Sequence, residues 1–323
     1  MGDHGVLVWG GFTTLVLGLL AVDLLVVNRH SHALAVKEAA LWSAGLATLA
    51  LLFGGFLWWR EGNHPALEFY SGYLIELSLS VDNLFVFLLI FQYFNVPEKL
   101  QPRVLKWGIF GAMLMRGVMI GLGALLLQRF NWIVYVFGAI LVITGIRMLR
   151  PGGITPVEPE HNPVVRLAQR FLPFTGEYSK DHFFVRMHRR WFGTPLLLVV
   201  LVVEWSDLVF AIDSIPAIFA VTRDPFIVYS SNVFAILGLR ALYFVLAGVM
   251  DRFQYLKPAV AAILVFVGLK MGLGAWVHVA TGVSLAVIVG LLAAGVTASL
   301  LKPVAKSDGR TGARAVTPND PAH

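Results

Sequence analysis

The chain has 323 residues, of which 58% are hydrophobic and only 14% charged, with a formal net charge of +6 and no cysteine. A soluble domain carries roughly 25% charged residues, so the composition excludes a soluble enzyme and describes a polytopic membrane protein. The missing cysteine excludes disulfides, thiolate metal sites and cysteine nucleophiles, and argues against soft ions such as Cu(I). The basic excess does not point to nucleic acid, because membrane topology accounts for it.

The N-terminal MGDHGVLVWGG lacks a basic n-region and a cleavage site, which predicts a retained first span. A helix needs about 20 apolar residues to cross a bilayer, and on that basis about nine spans are expected, at roughly 6–27, 39–59, 67–94, 107–128, 131–149, 194–221, 227–250, 256–274 and 278–300. The expected fold class is therefore all-α, a transmembrane helix bundle. Pro, Gly and charge interrupt the pattern over 150–193, and the tail after Lys302 is small, polar and expected to be disordered. Within the interruption, VVRLAQRFLPF at 164–174 reads either as a segment on an anionic leaflet or as a solvated basic linker.

The positive-inside rule sets the expected orientation. With the N-terminus outside, the cytoplasmic segments and adjoining span ends hold Arg29, Lys37, Lys99, Arg103, Lys106, Arg147, Arg150, the basic stretch from Arg166 to Arg190, Arg252 and Lys257. The other side keeps Arg60, Arg129 and Arg223, with Lys270 at a span end. This predicts an N-out, C-in protein of the bacterial plasma (inner) membrane.

Five carboxylates interrupt two of the spans. Glu76 and Asp82 lie in ELSLSVDN at 76–83, and Glu204, Asp207 and Asp213 lie in EWSDLVFAIDSIPA at 204–217. An ionised group in hydrocarbon is costly, so such residues face the protein interior and mark ion or proton pathways. Glu68 and Asp23 sit near span ends and are expected to be interfacial. At 100° per residue, Glu76 shares a helix face with Asn83, and Asp207 with Ser214 and Glu204. Asp82 and Asp213, each six residues on, point about 120° away. Pro216 removes a backbone hydrogen bond near Asp213 and would free a carbonyl oxygen.

The chain also repeats itself. RFNWIVYVFGAILVITGIRM at 129–148 aligns without gaps to RFQYLKPAVAAILVFVGLKM at 252–271. IFGAMLMRG at 109–117 matches VFAILGLRA at 233–241, which pairs Arg116 with Arg240, and Glu76-x5-Asp82-Asn83 matches Asp207-x5-Asp213-Ser214. Each copy holds three spans, an odd number, so the second enters the membrane from the opposite side. Inverted repeats typify secondary transporters with a midplane site between the copies. The expected organisation is two N-terminal helices over 1–66, a first three-helix repeat over 67–150, a basic cytoplasmic loop over 151–193, a second repeat over 194–275, a last helix over 276–301 and a tail over 302–323.

These residues carry a resemblance. TPLLLVVLVVEWSDLVFAIDSIPAIFAVTRDPFIVYSSNVFAILGLRALYF at 194–244 and ELSLSVDNLFVF at 76–87 resemble the hallmark blocks of the TerC family of integral membrane proteins. That family is named for tellurium resistance and includes Alx-like proteins associated with manganese export. The resemblance implies a transporter rather than an enzyme, and carries over Glu76, Asp82, Asn83, Glu204, Asp207, Asp213 and Ser214 as metal-site residues.

Oxygen donors of these kinds suit hard divalent cations, Mn²⁺, Mg²⁺ or Ca²⁺. Affinity order favours Mn²⁺ over Mg²⁺ at an oxygen site, and the resemblance points to Mn²⁺ as the substrate. Arg116 and Arg240 would either hold the bundle by static ion pairs or occupy the carboxylates when the metal leaves. Asn232 reads as a helix–helix hydrogen bond or a further ligand. The sequence has no G-x-x-x-x-G-K-[ST], so an ion gradient or the membrane potential would drive transport, with proton counterflow as the expected coupling. Two other readings stand beside this one: a non-transporting scaffold of a metal-stress complex, and an intramembrane aspartyl protease. The protease lacks the Gly-x-Gly-Asp pattern, since Asp213 follows Phe-Ala-Ile.

Overall fold

A computed structural model describes residues 6–22, 36–130, 132–149, 163–179, 181–187, 190–247, 255–274, 276 and 279–301, apart from the side chains of 6, 7, 82 and 85. Among the described residues there are ten helices and one two-stranded sheet. They run α1 (Val6–Val22), α2 (Val36–Glu61), α3 (Asn63–Tyr93), α4 (Gln101–Arg129), α5 (Ile133–Leu149), α6 (Pro163–Phe171), β1 (Phe184–Met187), β2 (Arg190–Gly193), α7 (Pro195–Phe219), α8 (Pro225–Ala247), α9 (Leu256–Gly272) and α10 (Thr281–Leu301).

Six of these, α2, α3, α4, α7, α8 and α10, are long and apolar enough to cross a membrane. The helices α1, α5 and α9 each have 17 residues, about 26 Å at 1.5 Å per residue, slightly less than a hydrocarbon core of about 30 Å. All three were expected to be spans; α1 adjoins residues outside the described set at both ends, as does α5 at Arg150. Asp23 and the tail expected to be disordered also lie outside that set.

Apolar side chains occupy both the inside and the outside of the bundle, because lipid is as good a solvent for leucine as another helix is. Most of α3 and α8 is buried, whereas α2 and α10 expose most of their length. Leu41, Leu114, Leu125 and Trp59 are among the large apolar groups left facing outward. Between α1, α2, α3 and α8 the interior is aromatic: Phe53 lies 5.0 Å from Phe234 and 5.2 Å from Phe69, and Phe12 lies 5.4 Å from Phe226. Such ring pairs are worth about 0.5–1.5 kcal/mol each beyond the area they bury, and they fasten α1 and α2 onto α8.

Helix directions follow from the residues that meet. Gly108 and Gly123 of α4 abut Val203 and Phe219 of α7, so these two helices run parallel. In contrast, α3 is antiparallel to α7, since Glu68 near its start accepts a 2.8 Å hydrogen bond from Thr222 just past the end of α7. The closest helix pair is α5 with α9, also antiparallel. A Cβ on Gly138 would lie 2.9 Å from the Gly268 carbonyl, and one on Gly145 would lie 2.7 Å from the Ala261 carbonyl. Small residues at such crossings let backbones approach and replace the hydrophobic drive that lipid does not supply.

The connection from α2 to α3 is one residue, Gly62, at φ 96°, a conformation that side chains rarely adopt. Pro216 sits inside α7, which nevertheless continues as helix to Phe219. At the opposite end of α3, β1 and β2 form an antiparallel hairpin pairing Phe184 with Gly193 and Arg186 with Trp191. Phe174 crosses Gly193, where any Cβ would enter the phenyl ring, and Thr175 N–H donates to the Gly193 carbonyl at 2.9 Å. Contacts just before β1 tie the base of the hairpin to the bundle. Arg103 of α4 pairs with Asp181, Arg103 also stacks 5.2 Å above the Phe183 ring, and the Tyr178 hydroxyl donates to the Phe94 carbonyl at 2.8 Å. Burial pushes the Tyr178 hydroxyl up to about 12, so it remains a donor at neutral pH.

Candidate functional site: a buried arginine among carboxylates

Four helices converge on Arg116, whose side chain is 1% exposed. The Nη1 group donates to Glu76 Oε1 from α3, to Asn232 Oδ1 from α8 at 2.8 Å and to Ser214 Oγ from α7 at 3.4 Å. Asp207 of α7 receives the other edge of the guanidinium, Nη2 to Oδ1 at 3.2 Å and Nε to Oδ2 at 3.4 Å. Two contacts to one carboxylate form the fork geometry in which arginine is strongest and most directional.

The seven-residue spacing explains the convergence. Asp207 and Ser214 lie two turns apart on α7 and both reach Arg116, as the helix period requires. Glu76 and Asn83 have the same relation on α3, and both are buried. Ser80, one turn from Glu76, donates to its Oε1 at 3.3 Å. Other serines near the cluster do not serve it: Ser206, Ser230 and Ser231 return their hydroxyls to carbonyls of their own helices, those of Val202, Ile227 and Val228.

Charge and hydrogen bonding leave this cluster incomplete. One guanidinium faces two carboxylates, so when both are ionised one negative charge is uncompensated. Glu76 Oε2 and Asn83 Nδ2 are buried and, among the described residues, have no hydrogen-bond partner. Each orphan buried polar atom costs about 1–3 kcal/mol; Glu76 Oε2 lacks a donor or cation, and Asn83 Nδ2 lacks an acceptor.

The remaining acids stand apart. Asp213 points toward α5, where the Thr144 hydroxyl donates to its Oδ1 at 2.8 Å and Arg147 supplies a positive charge nearby. Its divergence from Asp207 follows the rotation expected from their six-residue spacing. Glu204 lies half-buried against α4, its carboxylate over Gly111, where any Cβ would occupy the carboxylate's place. Asp207, one turn along the helix, repels it as a like charge. Arg240 is buried on α8. Asp82 lies within α3, and its side chain falls outside the described set. Among the described residues no three His, Cys, Asp or Glu side chains form a ready metal cluster. Sequence reasoning missed Thr144 and Gly111, which carry no signal without their partners. It also gave little weight to Glu68, which joins α3 to the α7–α8 turn through Thr222.

A bundle of apolar helices with buried acids and arginine at its centre defines a polytopic helical membrane protein. The model of the integral membrane protein TerC family matches residues 61–307, and the chain belongs to that family. It is 50% identical over 294 residues to the uncharacterized membrane protein STKORF319 of Myxococcus xanthus, covering 91% of this chain and 92% of that protein. It is 49% identical over 299 residues to the "Putative membrane-bound redox modulator Alx" of Escherichia coli K12, covering 88% and 92%. An uncharacterized membrane protein of Rickettsia bellii is 39% identical over 294 residues, covering 91% and 97%. No solved structure matches the chain.

Proposed function

We propose that this protein is a secondary transporter that exports a hard divalent cation, Mn²⁺ first among them, from the bacterial cytoplasm. The observation that carries the reading is the Glu76–Arg116–Asp207 cluster, with its excess carboxylate and the orphan Oε2 of Glu76. Its donors are all oxygens or amides, the set a hard cation prefers. Arg116 then acts as the resident counter-ion: a divalent cation entering between Glu76 and Asp207 displaces the guanidinium, and its departure lets Arg116 return. Asp82 and Asp213 belong to the same pathway, with Glu204 at its approach and Arg240 as a second counter-ion. Proton counterflow is the coupling that suits a pathway with more acids than bases.

The directions of the aligned helices suit an inverted repeat and support this reading. The aligned helices α3 and α7 run antiparallel, as do α5 and α9. In the alignment Gly138 corresponds to Ala261 and Gly145 to Gly268. The contact of Gly138 with Gly268 is therefore exchanged for the contact of Ala261 with Gly145, which is what a two-fold axis in the membrane plane produces. Completing the scheme requires nine spans, an outside N-terminus and a cytoplasmic C-terminus. The name of the E. coli relative suggests redox work. This chain has no cysteine and offers no thiol couple of its own for that role.

The test is Mn²⁺ flux in proteoliposomes holding the purified protein alone, with a pH-sensitive dye inside to follow protons. Mn²⁺ movement that disappears in Glu76→Gln and Asp207→Asn supports the proposal. No flux under any imposed ion gradient or potential overturns it and favours a scaffold.

A further inference from the structure

The segment between α5 and α7 takes no part in the buried cluster, yet it is built and anchored. Helix α6 carries its apolar residues on one arc. Val165 is buried and Ala168 and Leu172 are half-buried, on the side packed against α7. Leu167 and Phe171, one turn apart, continue the same arc but are 57% and 78% exposed. Protein thus covers only half of the apolar face. The exposed Arg170 flanks the uncovered half, about 100° around the helix from Phe171. The hairpin repeats the pattern. Phe184, Arg186 and Trp191 share one face by strand alternation and register, and all three are exposed. Arg190, paired with Met187, is exposed on the opposite face.

Position decides what covers these groups. Phe183, beside the hairpin, meets Trp107 edge-on at 5.9 Å, and Trp107 meets Phe110 at 6.4 Å. Trp107 and Phe110 are exposed on the outer face of α4, a helix long and apolar enough to span the membrane. This run of aromatic contacts joins the base of the hairpin to the exposed outer face of α4 near the start of that helix. The segment's charge suits an anionic surface: residues 163–193 hold six Lys and Arg against two acids, Glu177 and Asp181, and Arg103 takes the second.

We propose that α6 and the β1–β2 hairpin form a binding surface for anionic phospholipid headgroups, with Leu167, Phe171 and Trp191 seated at the acyl boundary and Arg170 and Arg186 on the phosphates. Amphipathic elements with aromatic and leucine anchors under a row of arginines bind interfaces in this way. Each basic residue near an anionic surface strengthens binding about fivefold. Of the two readings of 164–174, the leaflet is the one these observations favour.

The experiment places the full-length protein in nanodiscs of phosphatidylcholine, with or without 30% phosphatidylglycerol as an illustrative, roughly physiological anionic fraction, and follows backbone hydrogen exchange. Peptides covering 163–171 and 184–193 should exchange about tenfold more slowly in the anionic discs. Combining Arg170→Gln and Arg186→Gln should remove that difference, and Leu167→Gln with Phe171→Gln should speed exchange of α6 in both lipids. Equal exchange of the native protein in the two lipids overturns the proposal, as does protection that survives the two arginine changes. Protection that appears only when a disc holds two copies assigns the surface to a second chain and also overturns it. None of these readouts depends on transport.

Discussion

Arg116 and Asp207, 91 residues apart in the chain, meet edge to edge in the interior through contacts of 3.2 and 3.4 Å. The same guanidinium holds Glu76, Ser214 and Asn232, so one side chain from α4 joins α3, α7 and α8. In the proposed exchange, a cation taking the place of this guanidinium would release the tie between α4 and the other three helices, which would link occupancy of the site to the packing of the bundle.

Removing the cation and removing an acid should therefore differ. Arg116→Met leaves two buried carboxylates uncompensated and should cost about 3–5 kcal/mol, as for one partner lost from a buried pair. Glu76→Gln or Asp207→Asn relieves the excess negative charge, so the protein should accumulate normally in the membrane while Mn²⁺ flux is lost. Thermal unfolding in detergent and membrane abundance measure the first effect, and flux measures the second. Glu76→Gln and Asp207→Asn proteins that both keep native flux would remove the cluster from the pathway.

Asp213 offers a second, separable test. Thr144→Val deletes the hydroxyl that donates to its carboxylate, a charge-assisted hydrogen bond worth about 1.5–3 kcal/mol at 2.8 Å. If Asp213 lies on the ion pathway, Thr144→Val should shift the concentration of Mn²⁺ at half-maximal flux, and Asp213→Asn should abolish flux. An unchanged concentration dependence together with a lowered unfolding temperature would make the Thr144–Asp213 pair purely structural.

How much of this was legible in the sequence depends on the range of the interaction. Run length and hydropathy located the long helices, and a seven-residue spacing was enough to place Asp207 and Ser214 on one face. The Arg116–Arg240 correspondence pointed to a buried arginine opposite the acids. Which acids Arg116 would hold was not legible, because that depends on the relative rotation of α3, α4 and α7. The hairpin was invisible for a related reason: its strands are short, and Arg103, Tyr178 and Trp107 hold its base from elsewhere in the chain. Gly111 looked like any helical glycine until Glu204 was found lying over it.

Selectivity should follow donor chemistry. With oxygen and amide groups from Glu76, Asn83, Asp207, Ser214 and Asn232, and no cysteine anywhere in the chain, purified protein should bind Mn²⁺ or Ca²⁺ in preference to Cu(I), with Zn²⁺ a poor substrate. Calorimetry with each ion at neutral pH is the measurement. Tight Cu(I) binding would contradict the assignment.

The α5–α9 crossing should tolerate no added volume. On Gly268, a Cβ would stand 2.7 Å from the Gly138 carbonyl and 2.9 Å from the Leu141 Cβ, whereas a Cβ on neighbouring Gly272 meets nothing within 4 Å. Gly268→Ala should then destabilise the protein by about 1–3 kcal/mol, the usual cost of overpacking, and Gly272→Ala should be nearly neutral. Unfolding temperatures in detergent would separate the two, and equal temperatures would mean that the crossing opens without cost.

Glu204 and Gly111 give the most selective probe of the approach to the cluster. The carboxylate of Glu204 occupies the space that any side chain at position 111 would need, so Gly111→Ala must push it aside without altering its charge. Gly121, on the same helix, has nothing within 4 Å of a built Cβ and serves as the control. If Glu204 guides the ion toward Asp207, Gly111→Ala should lower flux at limiting Mn²⁺ by about tenfold, the effect of about 1.4 kcal/mol on a binding step. Saturating Mn²⁺ should restore it, and Gly121→Ala should behave like the native protein throughout. Glu204→Gln should give the same pattern with the geometry intact, because it removes the charge instead of moving it. Native flux at limiting Mn²⁺ in both Gly111→Ala and Glu204→Gln would leave Glu204 as a packing residue of the α4–α7 contact.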